Sequence, residues 1–357
     1  MSTEIARSLV LPAPLTADEA TSYAALGTDA VWWESHGDWS SFRGEKAADA
    51  LNGLITNDVS ALNPGEGMHA AALTPKGKLV TDMLVIRVDA TNFLMTVLRS
   101  KSASWLDLAR KYVNPRLCTI TNEADRFRTW MVYGTRAPQA IAGLGGGDAT
   151  VEQLSDGMVS VLSQWPTWHH APWNLGRVTI RLIRAPLMGT RPGFILMADS
   201  GDAEHVQQRL DAAPLHKGTR DLWNVSRVEA GRPAMGLDMD DNTIPQEANL
   251  DSLGAISYTK GCYTGQETVA RLHFRGHVNR RLRGLASDAP MAQGADVVNA
   301  EGKVVGDVRS SVLSPGLGAI AMAMIRREVE AGDVVTVRAA GASVNARVVE
   351  LPFRSDA

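Results

Sequence analysis

The stretch MHAAALTPKGKLVTDMLVIRV, residues 68–88, decides how the chain is built. Two runs rich in apolar residues flank the short turn Pro75-Lys76-Gly77, the pattern of an antiparallel hairpin. In the second run the strand period of two puts Val80, Asp82, Leu84, Ile86 and Val88 on one side. Asp82 therefore shares a face with four aliphatic residues. Either it sits wet at a sheet edge, or it is a half-buried carboxylate that needs donors. In the second case it is a candidate proton donor or acceptor, or an anchor for a ligand amine.

Working outward, a third strand follows at 92–98. A helix precedes the hairpin over EKAADALNGLI, with Ala47, Ala48, Leu51, Leu54 and Ile55 on one face, and another follows over SASWLDLARKYV, with Trp105, Leu108, Ala109 and Tyr112 together. Strands are expected at 116–121, with Cys118 packed inside, and at 128–134. A short helix is expected over 136–143. The segment QWPTWHHAPW, 164–173, reads as a surface loop with semi-exposed aromatics. The glycine-rich GLGGGDA, 143–149, lacks the following Lys-Ser/Thr of a phosphate loop. From about residue 280 the helical signal fades and runs such as DVVNAEGKVVGDVRSSV and GAIAMAMI read as strands joined by glycine turns, a small barrel.

The bulk properties set limits. With 357 residues, 45% of them hydrophobic and 21% charged, the chain suits two or three globular domains. Two cysteines cannot form a disulfide framework, so a reducing cytoplasm is the expected compartment. The N-terminal stretch, broken by Pro12 and Pro14, does not read as a signal peptide. The longest apolar run, 319–325, is too short to span a bilayer. A net charge of −3 argues against a dedicated polyanion binder, and direct nucleic-acid contact is not expected, although local patches can matter.

The motif richest in chemistry is KGCYTGQE, 260–267. Thr264 and Glu267 spell a capping box, which predicts a helix that stops at Gly276. Cys262 would then lie just before a helix N-terminus, with Lys260 nearby, and both favour the thiolate form. The plain alternative is a small structural residue in a tight loop. The next stretch, RLHFRGHVNRRLRG, is either a solvated basic face or a site for phosphates or carboxylates. Metal binding by His273 and His277 is disfavoured, because Gly276 ends the helix between them.

The blocks LITNDVSALNPGEG, LTPKGKLVTDMLV, SRVEAGRPAMGLDMDDNTIPQEANL, YTKGCYTGQETVAR and SPGLGAIAMAMIRR occur in an order that resembles the folate-binding YgfZ/GcvT superfamily, over residues 25 to 353. The cysteine block resembles the YgfZ branch in particular. The resemblance implies an α+β fold: two interleaved sheet-and-helix domains over 20–275 and a β-barrel over 276–357, around a central channel for tetrahydrofolate. It implies catalytic roles for Cys262 and Asp82, with Asp82 near the pterin. It also implies folate contacts from Arg227, Lys260 and Tyr263, and from Arg281 and Arg283 toward the glutamyl tail, with no metal. One departure stands out: where aminomethyltransferases carry an acid that clamps the pterin, LMGTRPGFILM has Thr190 and Arg191. The function implied is a monomeric, folate-dependent accessory protein for iron–sulfur enzymes, linked to tRNA modification. The competing readings are an aminomethyltransferase and a non-catalytic folate scaffold.

Overall fold

The structure, a computed structural model, describes residues 9–145, 156–339 and 341–353. The glycine-rich stretch from Gly146 onward lies outside the described residues.

The hairpin forms as its sequence requires. Strand β3 (Gly67–Leu73) pairs with β4 (Leu79–Arg87), and β5 (Asn92–Leu98), β2 (Gly37–Arg43) and β6 (Thr119–Asn122) complete a five-stranded sheet in the order β3-β4-β5-β2-β6. Its outer face carries Phe42, Met83, Val85 and Phe93, covered by helices α2 (Ala47–Asn52) and α3 (Ser102–Tyr112). Helix α2 is shorter than its periodicity suggested: Leu54 and Ile55 are buried but lie beyond it, and Ile55 bridges to Ala72. In α3 the buried side is Trp105, Leu106 and Ala109, whereas Tyr112 is exposed. Cys118 is buried in this core, in the turn before β6 rather than within a strand.

A six-stranded sheet is built from distant parts of the chain. Its order is β11 (His216–Lys217), β1 (Val31–Ser35), β7 (Phe127–Tyr133), β10 (Gly193–Asp199), β9 (Val178–Arg184) and β8 (His170–Leu175). One face packs under α4 (Ala137–Gly145), α5 (Asp156–Gln164) and α6 (Ala203–Ala212) through Trp32, Trp130, Ile141, Leu162 and Leu210. Alternation sends Ile195 and Met197 to the other face, where they meet Leu84, Ile86 and Leu94 of the first sheet. The segment 164–173 is a surface loop only in part: 165–169 is irregular with Trp165, Trp168 and His169 half-exposed, but from His170, which is 1% exposed, the chain forms β8.

The strand parity predicted for β4 holds with one exception. Leu84, Ile86 and Val88 face the second sheet, but Val80 packs on the helix side. The cause is a β-bulge: Ala72 pairs with Thr81 and Leu73 with Leu79, so Val80 is the extra residue and its side chain reverses.

The third unit is a closed barrel of β12 (Arg280–Ser287), β15 (Gly318–Arg326), β14 (Val304–Ser314), β13 (Asp296–Val298), β16 (Val334–Ala339) and β17 (Ala342–Val349). Helix α7 (Arg220–Glu229) joins it to the sheets, burying Val225 and Val228 against Leu282, Ile320 and Met322. The same helix supplies Arg227 and Glu229. Arg227 Nη1 donates to Asp238 at 2.7 Å, with side chains 5% and 0% exposed, and Nη2 donates to Ser310 of the barrel at 2.8 Å. Glu229 accepts from Tyr23 of α1 (Ala17–Thr28) at 2.7 Å and from Ser314.

His170 gives the fold a pH dependence. Burial, then the Arg181 cation, bring it down to about 4. Arg181 donates to Nδ1 at 2.9 Å, so the folded form holds the neutral ring. The unfolded chain takes up that proton near pH 6.5, so this stability is complete above 6.5 and is lost as pH falls through 4. The loss expected is on the order of 3 kcal/mol. Urea unfolding at pH 4 and above pH 6.5 measures it, and His170→Gln should flatten the difference.

Candidate functional site

Asp82 stands on the inter-sheet face of β4, next to the end of the hydrophobic contact between the sheets. His69 lies on the same side of β3, and its Nε2 is 3.1 Å from Asp82 Oδ2. The carboxylate is half-buried and the imidazole buried, and Nδ1 of His69 has no partner among the described residues.

Two further polar groups, Arg232 and Tyr133, lie on that side. Arg232 follows α7, and its charge interacts with both Asp82 and Tyr133. Burial draws the guanidinium below its ordinary range, opposed by those two groups. Its side chain makes no hydrogen bond among the described residues, although its backbone is held twice by Arg227: Arg232 N donates to Arg227 O at 2.8 Å, and Arg227 Nη1 donates to Arg232 O at 3.3 Å. Tyr133 ends β7 fully buried, and burial raises its phenol well above the usual value, opposed by Arg232 and Arg184. Its hydroxyl lies beside the Leu187 backbone without a hydrogen-bond partner. Arg184, by contrast, ends β9 on the helix-covered face of the sheet, over the Phe194 ring at 5.2 Å, with Nη1 buried and unpaired.

Backbone detail makes room for this cluster. Tyr133 pairs across the ladder with Gly193, and a Cβ there would lie 1.9 Å from the tyrosine ring. The ring also meets Trp33 and Trp223 edge-on, at centroid distances of 6.3 and 6.0 Å. One residue before Arg232, Gly231 lines a cleft of about 260 Å3 with Asn249, Ser252, Arg281, Arg283 and Leu351.

The residues singled out in the sequence divide among three places. Asp82 is in the central cluster. Arg281 and Arg283 line the cleft, where Arg281 donates to Asn249 at 2.5 Å and to Asp251 at 2.9 Å, and Arg283 bonds Glu350. Arg227 stands behind the cluster, its guanidinium turned to Asn224, Asp238, Arg232 O and Ser310. The signature block lies elsewhere, against the β3–β4 turn. Tyr263 is buried among Leu73, Leu79 and Val269. Lys260 Nζ donates to the carbonyls of Asn52, Ile55 and Asn57 at 2.9, 2.9 and 2.7 Å. Burial brings this ammonium down to about 8, with Asp58 opposing.

Cys262 is exposed. The capping box does not form: α8 (Gln266–Phe274) is capped by Gly265, at φ 83°, while Thr264 Oγ1 donates to Gly53 O at 3.3 Å. A Cβ on Gly265 would come within 2.5 Å of Thr74 O, so close seating on the turn selects glycine and displaces the cap by one residue. Lys260 is likewise committed to carbonyls rather than free to attend the thiol.

Sequence reasoning missed His69, Tyr133 and Arg232. For His69 the signal was present, since a hairpin turning at 75–77 places it on the face of Asp82. Tyr133 ends an alternating strand, but its pairing with Gly193 spans too many residues to be read from pattern. Among the described residues no three His, Cys, Asp or Glu side chains are grouped to hold a metal ion, and no helix is long and apolar enough to cross a membrane.

Residues 34–257 match the family model of the GCVT N-terminal domain, and 280–354 match the glycine cleavage T-protein C-terminal barrel domain. The chain belongs to the GcvT superfamily, and within it to the YgfZ branch. It is 33% identical over 264 residues to the tRNA-modifying protein YgfZ of Klebsiella pneumoniae, covering 71% of this chain and 72% of that protein. It is also 28% identical over 322 residues to an aminomethyltransferase of Thermotoga neapolitana, covering 87% of this chain and 82% of that one. The fold superposes on the glycine cleavage system aminomethyltransferase T from Bartonella henselae with a TM-score of 0.82 at 18% identity, over 98% of this chain and 92% of that one.

Replacing Lys260 by Met should strand three backbone carbonyls that the ammonium now satisfies. The loss expected is about 3 kcal/mol, as for a charged donor removed from buried acceptors. Chemical denaturation of Lys260→Met measures it. A change under about 0.5 kcal/mol, the scale of an ordinary surface substitution, would show that the carbonyls find water instead.

Proposed function

We propose that the chain binds a reduced folate at the Asp82–Arg232 cluster and serves as an accessory protein for iron–sulfur enzymes, in a pathway linked to tRNA modification. The observation that carries the reading is the set of polar groups without protein hydrogen-bond partners beside the Asp82 carboxylate: the Arg232 guanidinium, Tyr133 Oη and His69 Nδ1. Polar groups left this way in a protein interior are costly unless a ligand or water completes them. A reduced folate fits the donor set. Its ring amines suit Asp82, its carbonyls and carboxylates suit the cations, and its aromatic body suits Tyr133 and Trp223. When bound, it would supply a carrier for a one-carbon unit.

In this reading Arg232 contacts the ligand and Arg227 positions it through the two backbone hydrogen bonds. Arg281 and Arg283 extend the site toward the cleft at Gly231, where a glutamyl tail would end. The exposed thiol of Cys262 serves the client protein at a separate surface. The name of the YgfZ relatives supports the link to tRNA modification. Aminomethyl transfer is the second reading, favoured by the long match to the Thermotoga protein. The basic Arg191, where the clamping acid of that reaction is expected, weighs against it.

Calorimetric titration with tetrahydrofolate tests the site. Asp82→Asn and Arg232→Ala should each weaken binding about tenfold or more, the effect of losing one charge-assisted hydrogen bond. Wild-type protein that takes up no folate would overturn the reading. For the role of the thiol, Cys262→Ala should retain folate binding yet fail to restore iron–sulfur enzyme activities in a deletion strain.

A further inference from the structure

The basic segment 271–283 divides into two populations. Arg280, Arg281 and Arg283 are tied to Glu247, Asp251 and Glu350. Arg271 and Arg275, one turn apart at the C-terminal end of α8, are exposed and have no carboxylate or side-chain hydrogen-bond partner among the described residues. Between them stand His273 and Phe274. At 66% exposure Phe274 is the most exposed large apolar side chain among the described residues. His273 lies flat on Tyr258, with ring centroids 3.6 Å apart and planes 11° from parallel. Phe274 meets both rings edge-on, at 4.7 Å from His273 and 6.3 Å from Tyr258.

We propose that this platform binds a single-stranded polynucleotide, with bases stacked on His273 and Phe274 and phosphates held by Arg271 and Arg275. The spacing of the Tyr258–His273 stack is close to that between stacked bases, about 3.4 Å, so a base on the outer ring continues an existing stack. Stacking platforms beside unpaired arginines are the general means of holding single strands without a base code. The exposed residues around Phe274 are arginines and histidines rather than aliphatics, which disfavours a protein partner held by apolar burial. The small net negative charge of the chain does not oppose the assignment, since Arg271 and Arg275 form a local cationic edge. The platform lies on the outer surface of α8, and the inference stands apart from the folate reading.

Fluorescence anisotropy of the full chain with labelled single-stranded RNA and DNA oligonucleotides of mixed sequence tests it, with duplex RNA as control. Phe274→Ala should weaken single-strand binding about tenfold, the scale of one lost base stack. Arg271→Ala with Arg275→Ala should reduce the slope of log affinity against log salt by about 1.4, two phosphate contacts at about 0.7 each. Comparison of the RNA and DNA arms identifies the source of the strand. Absence of single-strand binding at low salt, preference for the duplex, or affinities that neither variant changes would overturn the proposal, as would binding of an acidic peptide in place of both strands. These are surface positions, so tetrahydrofolate titration of the same variants should match wild type. That keeps failure of this proposal distinct from failure of the folate site.

Discussion

The ion pair between Arg227 and Asp238 is the constraint on which the arrangement of the three units depends. Both side chains are almost wholly withdrawn from water, so neither charge is tolerable alone. Arg227 must therefore reach Asp238, and its remaining donors reach Ser310 on β14 and the carbonyl of Arg232. One guanidinium thus fixes the barrel to α7 and sets the path of the chain into the central cluster. Hydrophobic burial between α7 and the barrel supplies adhesion, but it has no direction. The buried charges specify which way the helix faces.

The same logic accounts for the ion pairs made by arginines at the start of the barrel. Arg280 grips Glu247 and Arg281 grips Asp251, both in the segment that leads from α7 to the signature block. That segment has little regular structure, and its backbone is held by these pairs and by the turn at Asn249, with φ 60°. Lys260 performs the corresponding task at the other end, collecting carbonyls that follow α2. An irregular connection becomes rigid when each of its polar groups has a partner.

How far the sequence could be read follows from the range of each interaction. Hairpins were legible because they are local: 68–88 and the strands from 280 onward obey their period and their turn residues. Asp82 was legible for the same reason, as a parity violation within one strand. The bulge at Val80 was not, because it depends on how Leu73 meets Leu79. The cap at Gly265 and the commitment of Lys260 were also hidden, since both are decided by contact with Thr74 and with residues 52–57, about two hundred positions away. Arg232 carried no pattern at all. It is distinguished only by what surrounds it in three dimensions.

The end of the described chain returns to the middle of the molecule. Phe353 N donates to Glu229 O, and Leu351 and Pro352 press on Gly231, where a Cβ would approach within 3.0 Å. The wall of the cleft beside Arg281 and Arg283 is thus made from residues translated after both sheets. On the ribosome, the α/β part can assemble while that wall is still missing. A nascent chain at this stage presents an open, incompletely walled cleft. Synthesis order thereby places completion of the site after completion of the scaffold, and ties it to the last strand of the barrel.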